Sequence, residues 1–225
     1  MKRFVVFAIM AVCYGMSAFA QGAVGRLSVI PKVGVNVSNL PGENIYYDTN
    51  MKMQRCAKGG FTGGLALEYQ ITKQVAVGIE ALYADQGCKF KDFEYDISKT
   101  STKGVSSAKI KLQYVNVPLM ASYYILDGFA VKAGVQMGFL LNSKLSYNEQ
   151  DISIANDGER EYGNVTKKTT DYQDVYKKTD IAIPFALSYE YMNVIIEARY
   201  SYGLTKLAEQ GGRNSVLSFT VGYRL

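Results

Sequence analysis

The 225-residue chain contains no histidine, no tryptophan and only four prolines. Without histidine it cannot form a Ser-His-Asp triad, a Cys-His pair, an imidazole general base or a histidine-ligated zinc or haem site. Charged residues make up only 20% of the chain, and the formal net charge of +5 provides no strong field that would favour a nucleic acid. We therefore expect no enzymatic activity, no metal, no cofactor and no nucleic-acid partner.

The first twenty residues have the features of a secretory signal peptide. Met1-Lys2-Arg3 forms a basic start, residues 4–13 are an unbroken apolar run, and Ser17-Ala18-Phe19-Ala20 is an Ala-x-Ala cleavage pattern. The alternative is a retained anchor, but the uncharged stretch of residues 4–20 is near the short limit for a spanning helix. We expect cleavage of residues 1–20 and one domain over residues 21–225.

Apolar and polar residues alternate with a period of two in eight stretches, which predicts eight β-strands. The apolar positions are Val29, Val33, Val35 and Val37; Leu65, Leu67 and Tyr69; Val75, Val77, Ile79 and Tyr83; Val115, Val117, Leu119 and Tyr123; Phe129, Val131, Ala133, Val135, Met137, Phe139 and Leu141; Ile181, Ile183, Phe185 and Leu187; Val194, Ile196, Ala198, Tyr200 and Tyr202; and Leu217, Phe219, Val221, Tyr223 and Leu225.

The apolar face of these stretches carries no charged residue over about ten positions. Ten residues at roughly 3.3 Å each, tilted by about 40°, cover about 25 Å, the height of the lipid-facing band of an outer-membrane barrel. Tyrosines near both ends of the runs suit the two membrane interfaces. The alternative is a lipocalin-like soluble barrel, in which the apolar face would line the interior. The proposed girdle tyrosines are Tyr69, Tyr123, Tyr189, Tyr191 and Tyr223 at one end, and Tyr83, Tyr114, Tyr200 and Tyr202 at the other.

Short and long connections alternate along the chain. Tight turns lie at Thr72-Lys73, at Asp127-Gly128 and over residues 190–193, which we expect on the periplasmic side together with both termini. The fold class predicted is all-β: an eight-stranded antiparallel up-and-down transmembrane β-barrel. The long connections are expected to be outer loops forming a solvated, partly disordered cap or a binding surface, over residues 39–58, 89–107, 143–178 and 205–213.

Six charged residues fall on the inward face of the predicted strands. An eight-stranded barrel is just wide enough for side chains to fill, so these groups are expected to pair and plug the lumen. Glu197 and Arg199, two positions apart on one face, form the most credible local pair. The alternative is a polar path for a substrate or an ion. The six residues are Lys32, Glu68, Glu80, Lys132, Glu197 and Arg199.

Cys56 and Cys88 are an even pair once Cys13 is removed with the signal peptide. A hairpin that turns near residue 72 pairs residues whose numbers sum to about 144 or 145, which places the two cysteines opposite each other. We predict a disulfide there that would staple the first outer loop to the second. The alternative is two free thiols, because a shift of register would separate them.

Three stretches resemble the PorT-like, or porin-family, outer-membrane β-barrel proteins of Gram-negative envelopes. They are residues 112–119 with their Tyr-apolar-x-apolar-Pro-Leu pattern, residues 198–205, and the closing strand of residues 215–225. The resemblance implies an outer-membrane location but no single activity and no catalytic residues. Because Pro118 lacks a ladder donor, we expect irregular pairing around it, consistent with the shift of apolar parity between Tyr114 and Val115.

The resemblance extends to the signal that the barrel-assembly machinery reads during insertion, although leucine stands where an aromatic residue is more usual. Other expected partners are outer-membrane lipid and an extracellular or envelope protein bound by the long loops. A small diffusion pore or transporter, and an accessory of envelope assembly or protein secretion, are the alternatives. The proposed assembly signal is Leu217, Phe219, Val221, Tyr223 and Leu225.

Overall fold

A computed structural model describes most of the chain after the predicted signal peptide, which lies outside the described residues. Side chains are not described for residues 45–46 and 52–53. None of the described residues belongs to a helix long and apolar enough to span a membrane. The described ranges are residues 24–41, 45–46, 52–98, 100–155, 159–171, 176–207 and 212–225.

The described residues form twelve β-strands. Most are long and alternate in burial, as the period of two predicts. Their bounds are β1 Leu27–Asn39, β2 Ile45–Tyr46, β3 Lys52–Met53, β4 Arg55–Gln70, β5 Val75–Phe90, β6 Phe93–Ser98, β7 Ser101–Leu126, β8 Phe129–Ile154, β9 Arg160–Asp171, β10 Thr179–Tyr191, β11 Val194–Lys206 and β12 Arg213–Tyr223.

Eight of these strands close into a ring. Each pairs antiparallel with its neighbours in the order β1, β4, β5, β7, β8, β10, β11, β12, and β12 pairs with β1 to complete the ring. Closure satisfies the backbone donors and acceptors that an open sheet would leave unpaired in lipid. The prediction of an eight-stranded antiparallel barrel is confirmed.

The outer wall of the ring is apolar and the interior is polar. Val35, Leu119 and Ile196 are each more than half exposed, whereas residues one position away, such as Asn36 and Glu197, are buried. A continuous exposed apolar surface is unfavourable in water and favourable in a bilayer. The soluble lipocalin-like alternative, which needs the opposite arrangement, is therefore wrong.

One end of the ring, which we call the turn end, carries the short turns; the other, the loop end, carries the longer connections. β7 and β8 are 26 residues each and continue past the loop end of the ring. At roughly 3.3 Å per residue they extend about 85 Å, far more than the apolar wall requires. There β6 pairs with β7, and β9 pairs with β8. We call β6, β9 and the parts of β7 and β8 paired with them the projecting sheet.

The projecting sheet corrects the prediction of irregular loops over residues 89–107 and 143–178. Much of both segments is strand, and every residue of β9 is exposed. A strand that is solvated on both faces has no alternation of apolar and polar residues, so the period-two signal used to find strands is missing there.

An apolar cluster closes the loop end of the ring. It includes Ile110, Leu112 and Tyr114, which face inward, whereas Val115 and Val117 face the outer wall. The pairing of β5 with β7 runs unbroken through Tyr114, so the parity shift reflects an apolar interior at this level and not a bulge in β7. The complete buried set is Leu40, Cys88, Phe90, Val105, Ala108, Ile110, Leu112, Tyr114 and Leu207.

Tyr114 and Pro118 test two further predictions, the interfacial girdle of tyrosines and the irregular pairing near proline. Tyr114 is fully buried, so its assignment to the interfacial girdle is wrong, whereas Tyr123 and Tyr223 are exposed as predicted. The pairing of β5 with β7 is interrupted opposite Pro118, between Ile79 and Leu82. That interruption is the irregular pairing expected where proline removes a donor.

Candidate functional site

The six charged residues predicted to face the lumen come together inside the ring. All are buried, with relative exposures of 2–5%. Their strands lie on different sides of the ring, and the inward parity of each residue lets the side chains meet across the lumen. We call them, together with the partners described below, the lumen charge cluster. The six are Lys32 on β1, Glu68 on β4, Glu80 on β5, Lys132 on β8, and Glu197 and Arg199 on β11.

Glu197 lies at the centre of this cluster. Its carboxylate is 2.6 Å from Arg199 Nη2, 3.0 Å from Lys32 Nζ and 3.4 Å from Lys132 Nζ. Glu80 binds two of the same cations, at 2.9 Å from Lys32 Nζ and 2.8 Å from Arg199 Nη2. Charge-assisted contacts of this kind compensate the cost of removing each group from water.

The network continues toward the turn end through residues that the sequence prediction missed. Glu68 is 3.3 Å from Lys132 Nζ and 2.8 Å from Arg224 Nη2, and it accepts a hydrogen bond from the Tyr124 hydroxyl at 2.9 Å. Arg224 also lies 2.9 Å from Glu190. A signal for Arg224 was present, because it continues the inward parity of Ser218, Thr220 and Gly222. The cluster thus contains four cations and four carboxylates and is electrically neutral.

Glycine leaves room for the side chain of Lys32. Lys32 pairs with Gly64 on β4 and with Gly222 on β12, so both neighbouring positions on its face lack a side chain. A Cβ added to Gly222 would lie 3.1 Å from Lys32 Cγ. Neighbouring side chains on one sheet face are only about 5 Å apart, so larger residues here would displace the lysine.

A small polar cavity of about 20 Å³ lies beside Arg199 in the lumen. Arg199 Nε and Nη1 and Asn36 Oδ1 have no hydrogen-bond partner among the described residues. A volume of this size accommodates about one water molecule. Among the described residues, the charge cluster and the apolar cluster at the loop end therefore occupy much of the lumen.

Cys56 and Cys88 are both free thiols, so the predicted disulfide is not formed. Cys56 pairs with Lys89, and Cys88 pairs with Ala57, so the two cysteines are one register position out of step. The numbers of paired residues sum to 146 near the turn, as for Gln70 and Ala76, and the prediction assumed 144 or 145. Cys88 is fully buried.

The projecting sheet offers a second candidate surface. β9 is an edge strand of twelve residues, and within the described ranges no strand pairs with its free edge. Across its paired edge, Glu149 of β8 contacts Lys168 of β9 and lies 2.5 Å from Lys103 Nζ of β7. Hydrogen bonds from these two ammonium groups hold the pKa of Glu149 below its ordinary value of 4.5.

Acidification is expected to loosen β9 through Glu149. Because its pKa is lowered in the folded protein, the stabilisation is complete above pH 4.5 and is lost as the pH falls through the lowered pKa. Amide hydrogen exchange of β9 should be faster at pH 3 than the intrinsic pH dependence predicts. The variant Glu149→Gln should show weaker protection already at pH 7 and less further loss on acidification; an unchanged pH dependence in this variant would contradict the assignment.

Within the described part of the chain, no group of three or more Cys, Asp or Glu side chains is placed to hold a metal ion. The carboxylates of the lumen are instead bound by lysine and arginine. These residues therefore offer pairing and neutralisation of charge, and not coordination chemistry.

A family model described as "Outer membrane protein beta-barrel domain" matches residues 19–209. No curated protein sequence matches the chain. Among solved structures, the attachment invasion locus protein Ail of Yersinia pestis is 15% identical with a TM-score of 0.46, covering 90% of this chain and all of that one. Neisserial surface protein A is 10% identical, with a TM-score of 0.42 and coverage of 89% and 98%. Outer Membrane Protein W of E. coli is 15% identical, with a TM-score of 0.38 and coverage of 91% and 100%.

Proposed function

Since the chain belongs to the family of outer-membrane β-barrel domain proteins, we propose that it is a closed barrel that binds an extended polypeptide at the cell surface. The observation that carries this proposal is the free edge of β9, a twelve-residue strand with every residue exposed. An unpaired edge offers a row of backbone donors and acceptors to an incoming strand. Membership of the narrower group of PorT-like proteins remains a prediction.

The proposal assigns an orientation. The turn end and both termini face the periplasm, and the projecting sheet stands outside the cell. The short connections at the turn end, such as Asp127-Gly128, favour this arrangement, since periplasmic turns are the shorter ones in such barrels. The membrane lipid and, during insertion, the barrel-assembly machinery are the other proposed partners. The strand from Leu217 to Leu225 would carry the assembly signal.

Binding at β9 can be tested with a photo-crosslinking amino acid placed at Val165, which is exposed on β9. We expect a discrete adduct with a polypeptide in intact cells, and none when the crosslinker replaces Phe219 on the apolar wall. The paired change Thr166→Pro with Lys167→Pro removes one donor from the free edge and one from the edge paired with β8, because successive residues donate to opposite sides of a strand. It should abolish the adduct, whereas Thr166→Ser with Lys167→Gln should preserve it. An adduct unaffected by the prolines would refute edge pairing.

The closed lumen leads to a separate prediction, that purified and refolded protein does not conduct ions. Paired charges and the apolar cluster occupy the lumen, and the polar cavity beside Arg199 has a volume of only about 20 Å³. Single-channel recording in a planar bilayer should give no steps, with heat-dependent gel mobility as the check that the barrel is folded. Stable steps that change when Glu68, Glu80 or Lys132 is neutralised would instead establish a pore or transporter, the second candidate function.

An accessory role in envelope assembly or protein secretion would also use the projecting sheet, and it predicts co-purification with other envelope proteins.

We further propose that the protein is not an enzyme. The carboxylates that could act as acid and base, Glu68 and Glu80, are each bound by two cations. A screen for lipid and peptide hydrolysis should be blank, and reproducible turnover abolished by Glu80→Gln would contradict this.

A further inference from the structure

Basic side chains face each other in pairs on the outer face of the strands near the loop end. Lys89 of β5 lies directly opposite Lys109 of β7, and Lys111 of β7 lies directly opposite Lys144 of β8. Like charges at such positions repel, and each pair weakens the sheet unless an anion lies between them. We call these four lysines the lysine patch.

The position of the lysine patch along the membrane normal follows from the residues that precede and follow it on β7. Below it on the same face are Val115, Val117 and Leu119 of the apolar wall. Between wall and patch, Gln113 donates a hydrogen bond to the Tyr83 hydroxyl at 2.6 Å, a polar contact typical of a membrane interface. Lys111 is two residues beyond Gln113, which at roughly 3.3 Å per residue and a tilt of about 40° is about 5 Å higher. The headgroup layer outside the hydrocarbon is of this thickness.

Within the described ranges, few carboxylates lie near the lysine patch. Asp85 lies 3.6 Å from Lys111 Nζ, but it also accepts a hydrogen bond from Lys58 Nζ at 2.8 Å. Asp171 of β9 is the register partner of Lys144. Among the described residues, the four lysines therefore share two carboxylates, one of which also binds Lys58. A third pair of like charges, Lys206 with Arg213, stands at the loop end on the opposite side of the ring.

We propose that the lysine patch binds the phosphate groups of a lipid headgroup in the leaflet at the loop end. Ammonium groups form short charge-assisted hydrogen bonds with phosphate oxygens, and long lysine stems lie along apolar surface while their charges reach the headgroups. A phosphate between opposed lysines replaces their repulsion by two attractions. The assignment of this leaflet to the cell exterior rests on the proposed orientation, whereas the binding itself does not require the edge of β9.

The test uses the folded barrel in zwitterionic detergent, titrated with lipid A, which carries two phosphates, and with its dephosphorylated form. Lys111→Gln with Lys144→Gln should weaken binding of lipid A by about 30-fold. The matched control, Lys73→Gln with Lys167→Gln, makes the same change of charge at a short turn and on β9 and should stay within about twofold. Lys111→Arg with Lys144→Arg should restore binding.

Three outcomes would overturn the proposal: equal binding of the dephosphorylated lipid, equal loss in the control variant, or an unchanged affinity in the glutamine variant. Inorganic phosphate that competes as well as the lipid at equal phosphate concentration would likewise exclude a lipid site. Heat-dependent gel mobility verifies that each variant is folded. Crosslinking at Val165 is measured separately, so failure of lipid binding and failure of polypeptide binding are distinguishable.

Discussion

Replacement of Glu197 by glutamine is expected to lower the free energy of unfolding of the barrel by about 3–5 kcal/mol. Glu197 is the shared partner of Lys32, Lys132 and Arg199, all of which are buried. A neutral amide leaves the cluster with one excess positive charge in an interior that water cannot screen. Removing one partner from a buried ion pair is among the most damaging single changes in proteins.

The urea midpoint of barrel unfolding in lipid vesicles, followed by gel mobility, measures this effect. Glu94→Gln is the matched control, because Glu94 forms an ion pair with Arg160 at 2.9 Å on the exposed projecting sheet. Solvent screens such pairs, so the control midpoint should be unchanged. Equal midpoints for the two variants would show that the lumen charges do not stabilise the barrel.

Replacement of Gly64 by alanine is expected to destabilise the barrel by about 1–3 kcal/mol or more. A Cβ at this position would lie 1.9 Å from the Ala81 carbonyl oxygen and 3.0 Å from Leu82 Cα. Both atoms belong to the backbone of β5, so relief requires separating β5 from β4. Gly64 is also the register partner of Lys32, so a displacement of β4 here would disturb the strand position opposite the lysine.

Gly59 provides the control within the same strand, because a Cβ added there meets nothing within 4 Å. Gly59→Ala should leave the urea midpoint unchanged or raise it slightly, since alanine reduces the freedom of the unfolded chain. The two variants differ only in which glycine of β4 gains a methyl group. If Gly64→Ala were as stable as Gly59→Ala, the close approach of β4 and β5 at this point would be refuted.

The barrel wall could be predicted from sequence because lipid and lumen impose opposite chemistry on successive residues. In β11, Ile196 and Tyr200 face outward while Glu197 and Arg199 face inward, and the sequence alone separates them. The same rule failed in β9, where both faces meet water and nothing distinguishes a strand from a loop. Pairing with β8, a contact between distant segments, decides its conformation.

The remaining errors of the sequence-based prediction concern the register of strand pairing and the residues at strand ends. The disulfide prediction needed paired residue numbers that sum to 144, but the sum is 146 near the turn and 145 beyond the irregularity between Ala57 and Thr62, so the two cysteines stay one position out of step. A one-residue shift moves a side chain to the other face, so no composition rule corrects it. Arg224 continues the inward parity of β12 but was left out of the predicted cluster, whereas Glu190 lies beside a turn, where inward parity is harder to assign.

Closure of the ring has a kinetic consequence. β1 and β12 are joined only after the whole intervening chain is in place, and contacts of such long sequence separation form slowly. Lys32 lies on β1, and one of its two carboxylates, Glu197, belongs to β11, the strand beyond that seam. While the seam is open, Lys32 lacks this partner and Glu197 lacks one of its three cations. The final pairing therefore neutralises the interior in one step, which makes half-closed barrels poorly populated and assembly close to all-or-none.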